Sequence, residues 1–174
     1  MPARLVEETM SIQNLSDKQI ENLINNYRAR GLAEGGKYSL SEARLEQQRR
    51  IATDVPIDQI FSRILELSRE SADGLMTYGE LWDSIYPNRG WKGNYALAIM
   101  ANILGKVIGY CIDHGFPIVT TLVVRQSPRR LDQRAVDNIF SEVKELGSDV
   151  GAQSAESFCE KEAAASKALA AKAR

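Results

Sequence analysis

The chain predicts a mainly α fold with a small β element: a helix-turn-helix or winged-helix-like core, preceded by an N-terminal helical hairpin and followed by a C-terminal helix. Three observations lead there. Ser16 with Gln19, Ser39 with Glu42 and Thr77 with Glu80 stand at capping-box spacing, so each pair opens a helix. Leu97, Met100, Ala101, Leu104, Val107, Ile108, Cys111 and Ile112 keep the rhythm of a broad buried stripe, which makes one long helix from about Gly93 to His114. Finally, Gly74 to Trp82, that long helix, and Phe116 to Arg125 read in order as a short strand, two helices and a strand. A helix-turn-helix with a small β-wing is laid out this way, and such units usually dock on nucleic acid.

The first helix starts after Ser16, places Ile20, Leu23, Ile24 and Tyr27 on one face, and is stopped by Gly31. The second runs from Ser39 to about Ile51 and is mostly charged; Leu40, Ala43 and Leu45 are its few apolar members, so it is expected to be only partly buried. Gly31 to Gly36 supplies flexible backbone between them, and the pair reads as a hairpin that needs the main body for stability. Thr53-Asp54-Val55-Pro56 marks a boundary, because Asp54 can cap a third helix and Pro56 can sit in its first turn. Ile57, Ile60, Phe61, Ile64, Leu65 and Leu67 give that helix a wide apolar face, which ends near Asp73-Gly74.

Leu75 and Met76 suffice for one short strand, and the Thr77 box starts a helix at Tyr78 that Pro87 to Gly90 terminates after about Ile85. Gly115 is placed as the left-handed cap of the long helix and Pro117 prevents its continuation, so the β-branched run Ile118 to Arg125 is expected to be an extended, buried strand. Gln126 to Arg130 forms a polar turn. Asp132 then caps a helix that turns Val136, Ile139, Phe140, Val143 and Leu146 inward and is closed by Gly147. After Gly151 the chain becomes rich in Ala, Glu, Lys and Ser, with Phe158 and Leu169 as its large apolar residues. A protruding helix docked by Phe158 is expected there in preference to a partner-binding tail. The breaks divide the chain into a hairpin over residues 1–53, a core over 54–147 and a C-terminal helix over 148–174.

With 174 residues, 44% of them apolar and 26% charged, the chain suits one soluble core with small appendages. No apolar run is read as approaching the ~20 residues that span a bilayer. Met1 to Leu15 carries Glu7 and Glu8 and shows neither a secretory signal nor a transit peptide, so a cytoplasmic protein is expected. Cys111 and Cys159 lie far apart on helices and read as buried thiols rather than a disulfide or thiolate metal site. No Gly-rich phosphate loop follows a strand, and no carboxylate pair is flanked by a metal-binding His, so no catalytic residue, cofactor or metal is expected. His114 sits in a final helical turn, where a partial positive charge is favourable, and reads as a cap. A net charge of −1 and a pI near 5.9 mean that any contact with nucleic acid is local rather than a bulk attraction.

Local cation clusters exist. Arg125, Arg129, Arg130 and Arg134 fall on the strand end, the turn and the helix start, while Arg89 and Lys92 occupy the loop before the long helix. Guanidinium forks suit phosphate oxygens, although a solvated turn whose arginines pair with Asp132 and Asp137 fits the same residues. Tyr78, in a first helical turn, can point outward beside the amides of the helix N-terminus. Trp82, Trp91 and Tyr95 could stack on bases, but packing under the loop is the favoured reading.

Over about Ile57 to Arg125, the apolar helix, Gly74, Thr77-Tyr78-Gly79-Glu80-Leu81, the Ala-rich helix with Leu104-Gly105 and the Val123-Val124 strand resemble the DNA-binding domain of the O6-alkylguanine-DNA alkyltransferases and their alkyltransferase-like relatives. The resemblance implies that Tyr78 lies against a DNA phosphate near an extruded nucleotide. It also implies that the reaction has been lost. Where that family has Pro-Cys-His-Arg this chain has Val119-Thr120-Thr121-Leu122, so the alkyl-accepting thiol falls on Thr120 and the assisting His on Thr121. A threonine hydroxyl with no adjacent base cannot replace an activated thiolate. The Arg that the family inserts into the base stack aligns approximately with Asn102, which argues against nucleotide flipping. Leu23 to Gly31, Trp91, Leu104-Gly105, Gly115-Phe116-Pro117 and Leu122-Val123-Val124 are also similar to a family of small uncharacterised bacterial proteins, which implies that the hairpin belongs to the same folded unit.

These readings lead to a non-enzymatic DNA-binding protein with Tyr78, Arg89, Lys92, Asn102, Arg125, Arg129, Arg130 and Arg134 as its nucleic-acid-binding residues. The acidic balance supports another class, a protein-binding adaptor or inhibitor encoded by a phage or mobile element. Such a protein, of an anti-defence type such as anti-CRISPR or anti-restriction, would use the C-terminal helix against a host protein complex.

Overall fold

All three capping boxes close in the computed structural model, which describes residues 11–173. Ser16 Oγ accepts the Gln19 amide at 3.2 Å while Gln19 Oε1 accepts the Ser16 amide at 2.7 Å, opening α1 (Asp17–Arg30). Ser39 and Glu42 do the same for α2 (Leu40–Arg50). The helices α3 (Ile57–Glu70), α4 (Tyr78–Ile85), opened by the Thr77 box, α5 (Gly93–His114), α6 (Gln133–Glu145) and α7 (Ala155–Lys172) follow. The fold is thus mainly α. Much of the stretch read above for targeting signals, residues 1–10, lies outside the described residues.

Two short strands, β1 (Met76–Thr77) and β2 (Val123–Val124), pair in parallel with Met76 opposite Val123 and Thr77 opposite Val124. They tie the start of α4 to the segment that follows α5, forming a ledge across the core. Beneath it, Ile60, Ile64, Leu81, Trp82, Met100 and Val107 are sealed from solvent. Gly31 and Gly115 end α1 and α5 in the left-handed region, at φ 63° and 66°, a conformation open to glycine at little steric cost.

The N-terminal hairpin has its own apolar cluster of Ile20, Ile24, Tyr27, Leu40 and Ala43. Polar contacts join it to the main body. Arg44 of α2 pairs with Glu142 and Glu145 of α6, Arg28 of α1 holds Glu145 through two bonds of 2.8 and 2.6 Å, and Gln48 Nε2 donates to Glu142 at 2.8 Å. Gln48 also lies against Gly105 of α5, where a Cβ would come within 3.1 Å of its amide nitrogen. The Leu104-Gly105 pair therefore marks where the hairpin touches the core.

Four expectations are corrected. Ile118 to Arg125 is not one strand, because Val119–Leu122 forms a 3₁₀ turn before β2. Both the amide and the hydroxyl of Thr121 bond to the Ile118 carbonyl, at 3.1 and 2.8 Å, and the turn is buried against α3, α5 and α7, so local bonds and tertiary packing override the β-branched preference. Helix α7 does not protrude; Phe158, Cys159, Ser166 and Ala170 are buried against the rest of the core, and its Glu162 accepts the Ile118 amide at 2.8 Å. Its alanines and serines lower its hydrophobicity but let backbones approach closely. Asp54 does not cap α3, since Pro56 occupies the N-cap position without any side-chain bond. Finally, α5 is long and apolar enough, by length and composition alone, to cross a bilayer, with mean hydropathy 1.6. In the fold its Ala96, Met100, Ile103, Val107 and Cys111 fill the core.

Candidate nucleic-acid interface

The N-terminal half of α5 turns outward. Ala96 and Met100 anchor it to the core, whereas Tyr95 and Leu97 are 62% and 52% exposed and Asn102 is exposed as well. Beside it, a groove of about 750 Å³ between α5, the start of α4 and α6 is lined by Tyr78, Trp91, Leu97, Arg125, Arg134 and Asn138. A second hollow of about 270 Å³ adjoins it toward Met100, Leu104, Ile108, Thr120 and Ile139. Tyr78, Leu97, Ala101, Ala135 and Asn138 line both, so the two are continuous.

Tyr78 is half-buried at this junction. Burial raises its pKa above the ordinary tyrosine value; the Asp132 carboxylate adds to the rise and Arg125 opposes it. The phenol is therefore a neutral hydroxyl able to donate or accept one bond.

The six candidate cations divide. Arg129 is withdrawn from the binding set: its guanidinium donates to Asp73 at 2.8 Å, to the Leu75 carbonyl at 2.7 Å, to Ser71 Oγ at 3.3 Å and to Glu80 at 3.4 Å. It braces the 126–132 loop on the turn before β1, and in return holds the Asp73 carboxyl well below the usual aspartate range. Arg125 pairs with Asp132 at 2.7 Å and remains exposed on the groove wall, whereas Asp137 pairs with no arginine among the described residues and accepts from Gln133 at 3.0 Å. Arg89 lies over the Tyr86 ring, 4.9 Å from its centre, with Asp54 at 3.5 Å. Lys92, Arg130 and Arg134 are exposed and have no carboxylate within ion-pairing distance among the described residues. Arg130 nevertheless faces a separate hollow with Leu131, Cys159 and Glu156, on the α7 side of the loop.

The structure thus brings together Tyr78, Arg125 and Arg134, leaves Lys92, the N-cap residue of α5, and Asn102 exposed outside the groove lining, and sets Arg89, Arg129 and Arg130 apart. Two groove residues were missed as a site. Asn138 stands four positions after Arg134, so helical spacing could have paired them on one face of α6. Trp91 packs edge-on against the buried Trp82, at 5.6 Å, yet keeps 39% of its surface exposed. Trp82 and Tyr95 fall on opposite sides of the stacking question: Trp82 is fully buried and Tyr95 is mostly exposed.

Thr120, Thr121 and both cysteines are buried. The Thr120 hydroxyl is buried without a partner among the described residues, and Thr121 donates its own to the Ile118 carbonyl. Burial pushes the Cys111 and Cys159 thiols up to about 11 each, which keeps them protonated and unreactive. His114 Nδ1 lies 2.9 Å from the Tyr110 carbonyl in the last turn of α5, with its ring stacked on Tyr110 and Phe116. Among the described residues no group of three or more His, Cys, Asp or Glu is placed to hold a metal ion.

No protein-family model, curated protein or solved structure matches the chain. The alkyltransferase-like resemblance and the resemblance to small bacterial proteins rest on the residues that carry them.

Proposed function

We propose that the protein binds DNA without enzymatic chemistry, through the groove between α5 and α6. The observation that carries this reading is the outward-facing N-terminal half of α5, the second helix of a helix-turn-helix order, flanked by Lys92, Arg125 and Arg134. Phosphate contacts from these cations would fix the duplex, and Trp91 and Tyr95 supply aromatic surface beside them. Asp132 holds Arg125 in place until a phosphate takes over as its partner. Tyr78 closes the inner end of the groove as a neutral hydroxyl. The resemblance of Thr77 to Leu81 to the alkyltransferase-like segment supports a DNA ligand, and a threonine at position 120 in place of the family's thiol supports a binding role without the reaction.

The test is the salt dependence of DNA binding, followed by fluorescence anisotropy with duplex and single-stranded oligonucleotides. Replacing Lys92 and Arg134 together by Ala removes two phosphate contacts and lowers the slope of log affinity against log salt by about 1.8. A fourfold rise in salt then weakens the wild type about tenfold more than the variant. Absence of binding at low salt, or an unchanged slope in the variant, overturns the reading.

One observation favours a second reading. Tyr95, Leu97 and Trp91 expose apolar surface on the same side, while Arg125 and Arg129 are already satisfied by carboxylates. A protein-binding adaptor or inhibitor encoded by a phage or mobile element would use this patch against a host protein complex. In that case DNA binding is absent, and Leu97→Asp releases the host complex that the wild type retains.

A further inference from the structure

The outward face of α5 is poor in groups that read base edges. Asn94 and Asn102 bound a stretch whose exposed positions are Tyr95, Leu97, Ala98 and Ala101, none of them an arginine, a lysine or an amide. Sequence in a duplex is read chiefly by such groups, whose forked hydrogen bonds reach the edges of stacked bases. Aromatic surface is what this face offers instead. Tyr95 is mostly exposed, and Trp91, packed edge-on against the buried Trp82, is held in place and exposed as well.

The supply of charge points the same way. Lys92, next to Trp91 in the chain, and Arg134, on the groove wall with Trp91, are exposed and have no carboxylate partner among the described residues, whereas Arg125 is paired with Asp132. A duplex presents one phosphate charge per ~1.7 Å of its axis. Those two free cations, in a chain of net charge −1, neutralise little of it, and exposed rings gain nothing from bases that stay stacked on one another. A single strand reverses both conditions: its charge is less dense, and each unpaired base offers an open face to an aromatic side chain.

Given the DNA-binding reading above, on which this rests, we infer that the favoured ligand is single-stranded DNA: unpaired bases stack on Trp91 and Tyr95, and Lys92 and Arg134 hold the backbone. Duplex is then the weaker ligand, held by phosphate contacts alone.

The full chain is titrated at low salt with a labelled mixed-sequence oligonucleotide, either free or annealed to its complement, and anisotropy gives both affinities. The single strand binds about fivefold or more tighter than the duplex, the worth of one stacked base. Tyr95 lies outside the core cluster, so Tyr95→Ala folds; it loses about that factor for the single strand and leaves duplex affinity unchanged, whereas Tyr95→Phe keeps the ring and the affinity. Because Trp82 is buried, the unlabelled single strand quenches tryptophan emission through Trp91, and the duplex quenches it less. Three results overturn the single-strand assignment while leaving DNA binding itself standing: a duplex that binds as tightly, a Tyr95→Ala variant that keeps both affinities or loses both alike, and a Tyr95→Phe variant as weak as Tyr95→Ala. Absence of binding by either form overturns both.

Discussion

Replacing Arg44 by Met keeps most of the side-chain stem and deletes a guanidinium only 10% exposed where α2 meets α6. Arg44 pairs with Glu142, and its Nε lies 2.9 Å from Glu145, close enough for charge attraction although not aligned as a hydrogen bond. Without it, two carboxylates one helical turn apart are left with less positive charge between them. Glu145 keeps Arg28, but Glu142 keeps only the neutral Gln48 amide. Removing one partner of a fully buried pair costs about 3–5 kcal/mol; with both carboxylates partly exposed and Arg28 in place, about 2–3 kcal/mol is expected. In a chain of this length 1 kcal/mol moves Tm by about 2–4 °C, so thermal unfolding followed by circular dichroism should fall by about 5–10 °C. Arg28, 48% exposed, should cost under about 1 kcal/mol when replaced by Ala.

The same network sets a pH dependence. The Arg28 hydrogen bond is the main cause that holds the Glu145 carboxyl below its ordinary range; burial opposes it, and the charges of Arg28 and Arg44 assist. A carboxylate depressed in the folded state contributes stability above its unfolded pKa and loses it as pH falls through the folded value. The gap between wild type and Arg44→Met therefore narrows below about pH 4. A Tm loss under about 2 °C, with no narrowing in acid, would refute the idea that charge pairing holds the hairpin to the core.

Further outcomes follow from single contacts. Thr120→Val, which removes an unpaired buried hydroxyl, should raise stability by about 1 kcal/mol, read as a higher Tm by calorimetry; a lower Tm would show that the hydroxyl is satisfied in solution. Arg129→Ala should raise the Asp73 pKa part of the way toward the ordinary aspartate range in a carboxyl NMR titration, since the Ser71 and Leu75 hydrogen bonds remain, while leaving the salt slope of DNA binding unchanged, because Arg129 acts on the loop. The contribution of the Asp73–Arg129 pair is present above the ordinary aspartate pKa and disappears as pH falls through the depressed value. Both thiols should resist a disulfide exchange reagent in the native protein and react together on unfolding, and rapid reaction of either in the native state would contradict their burial.

Local signals in the sequence were read correctly where the interaction itself is local. The boxes at Ser16, Ser39 and Thr77, the Asp132 cap and the glycine stops at Gly31 and Gly115 each depend on residues within a turn of one another, and each forms as spaced. The stripe from Leu97 to Ile112 gave the extent of α5, yet Leu97 and Ala101, expected to be buried in it, are exposed, and Ala96 and Met100 anchor the first turns instead. Distant partners were illegible. Arg129 finds Asp73 and Glu80 across about fifty residues, so its cluster of arginines looked free in one dimension and is partly closed in three. The 3₁₀ turn at Val119–Leu122 escaped for a similar reason, since its β-branched side chains are held by α7, a helix too rich in alanine to have been assigned to the core. Of the candidate site, Tyr78, Arg125 and Arg134 converge on one groove, and Asn138 and Trp91 join them through helix spacing and loop packing.

Chemical-shift mapping of the labelled full chain with a short DNA duplex at low salt tests the proposed interface most directly. The account predicts that perturbations concentrate on Trp91 to Asn102 and on Arg125 to Asn138, leaving the α1 and α2 surface quiet. Perturbations confined to the hairpin, or none at saturating duplex, would contradict it.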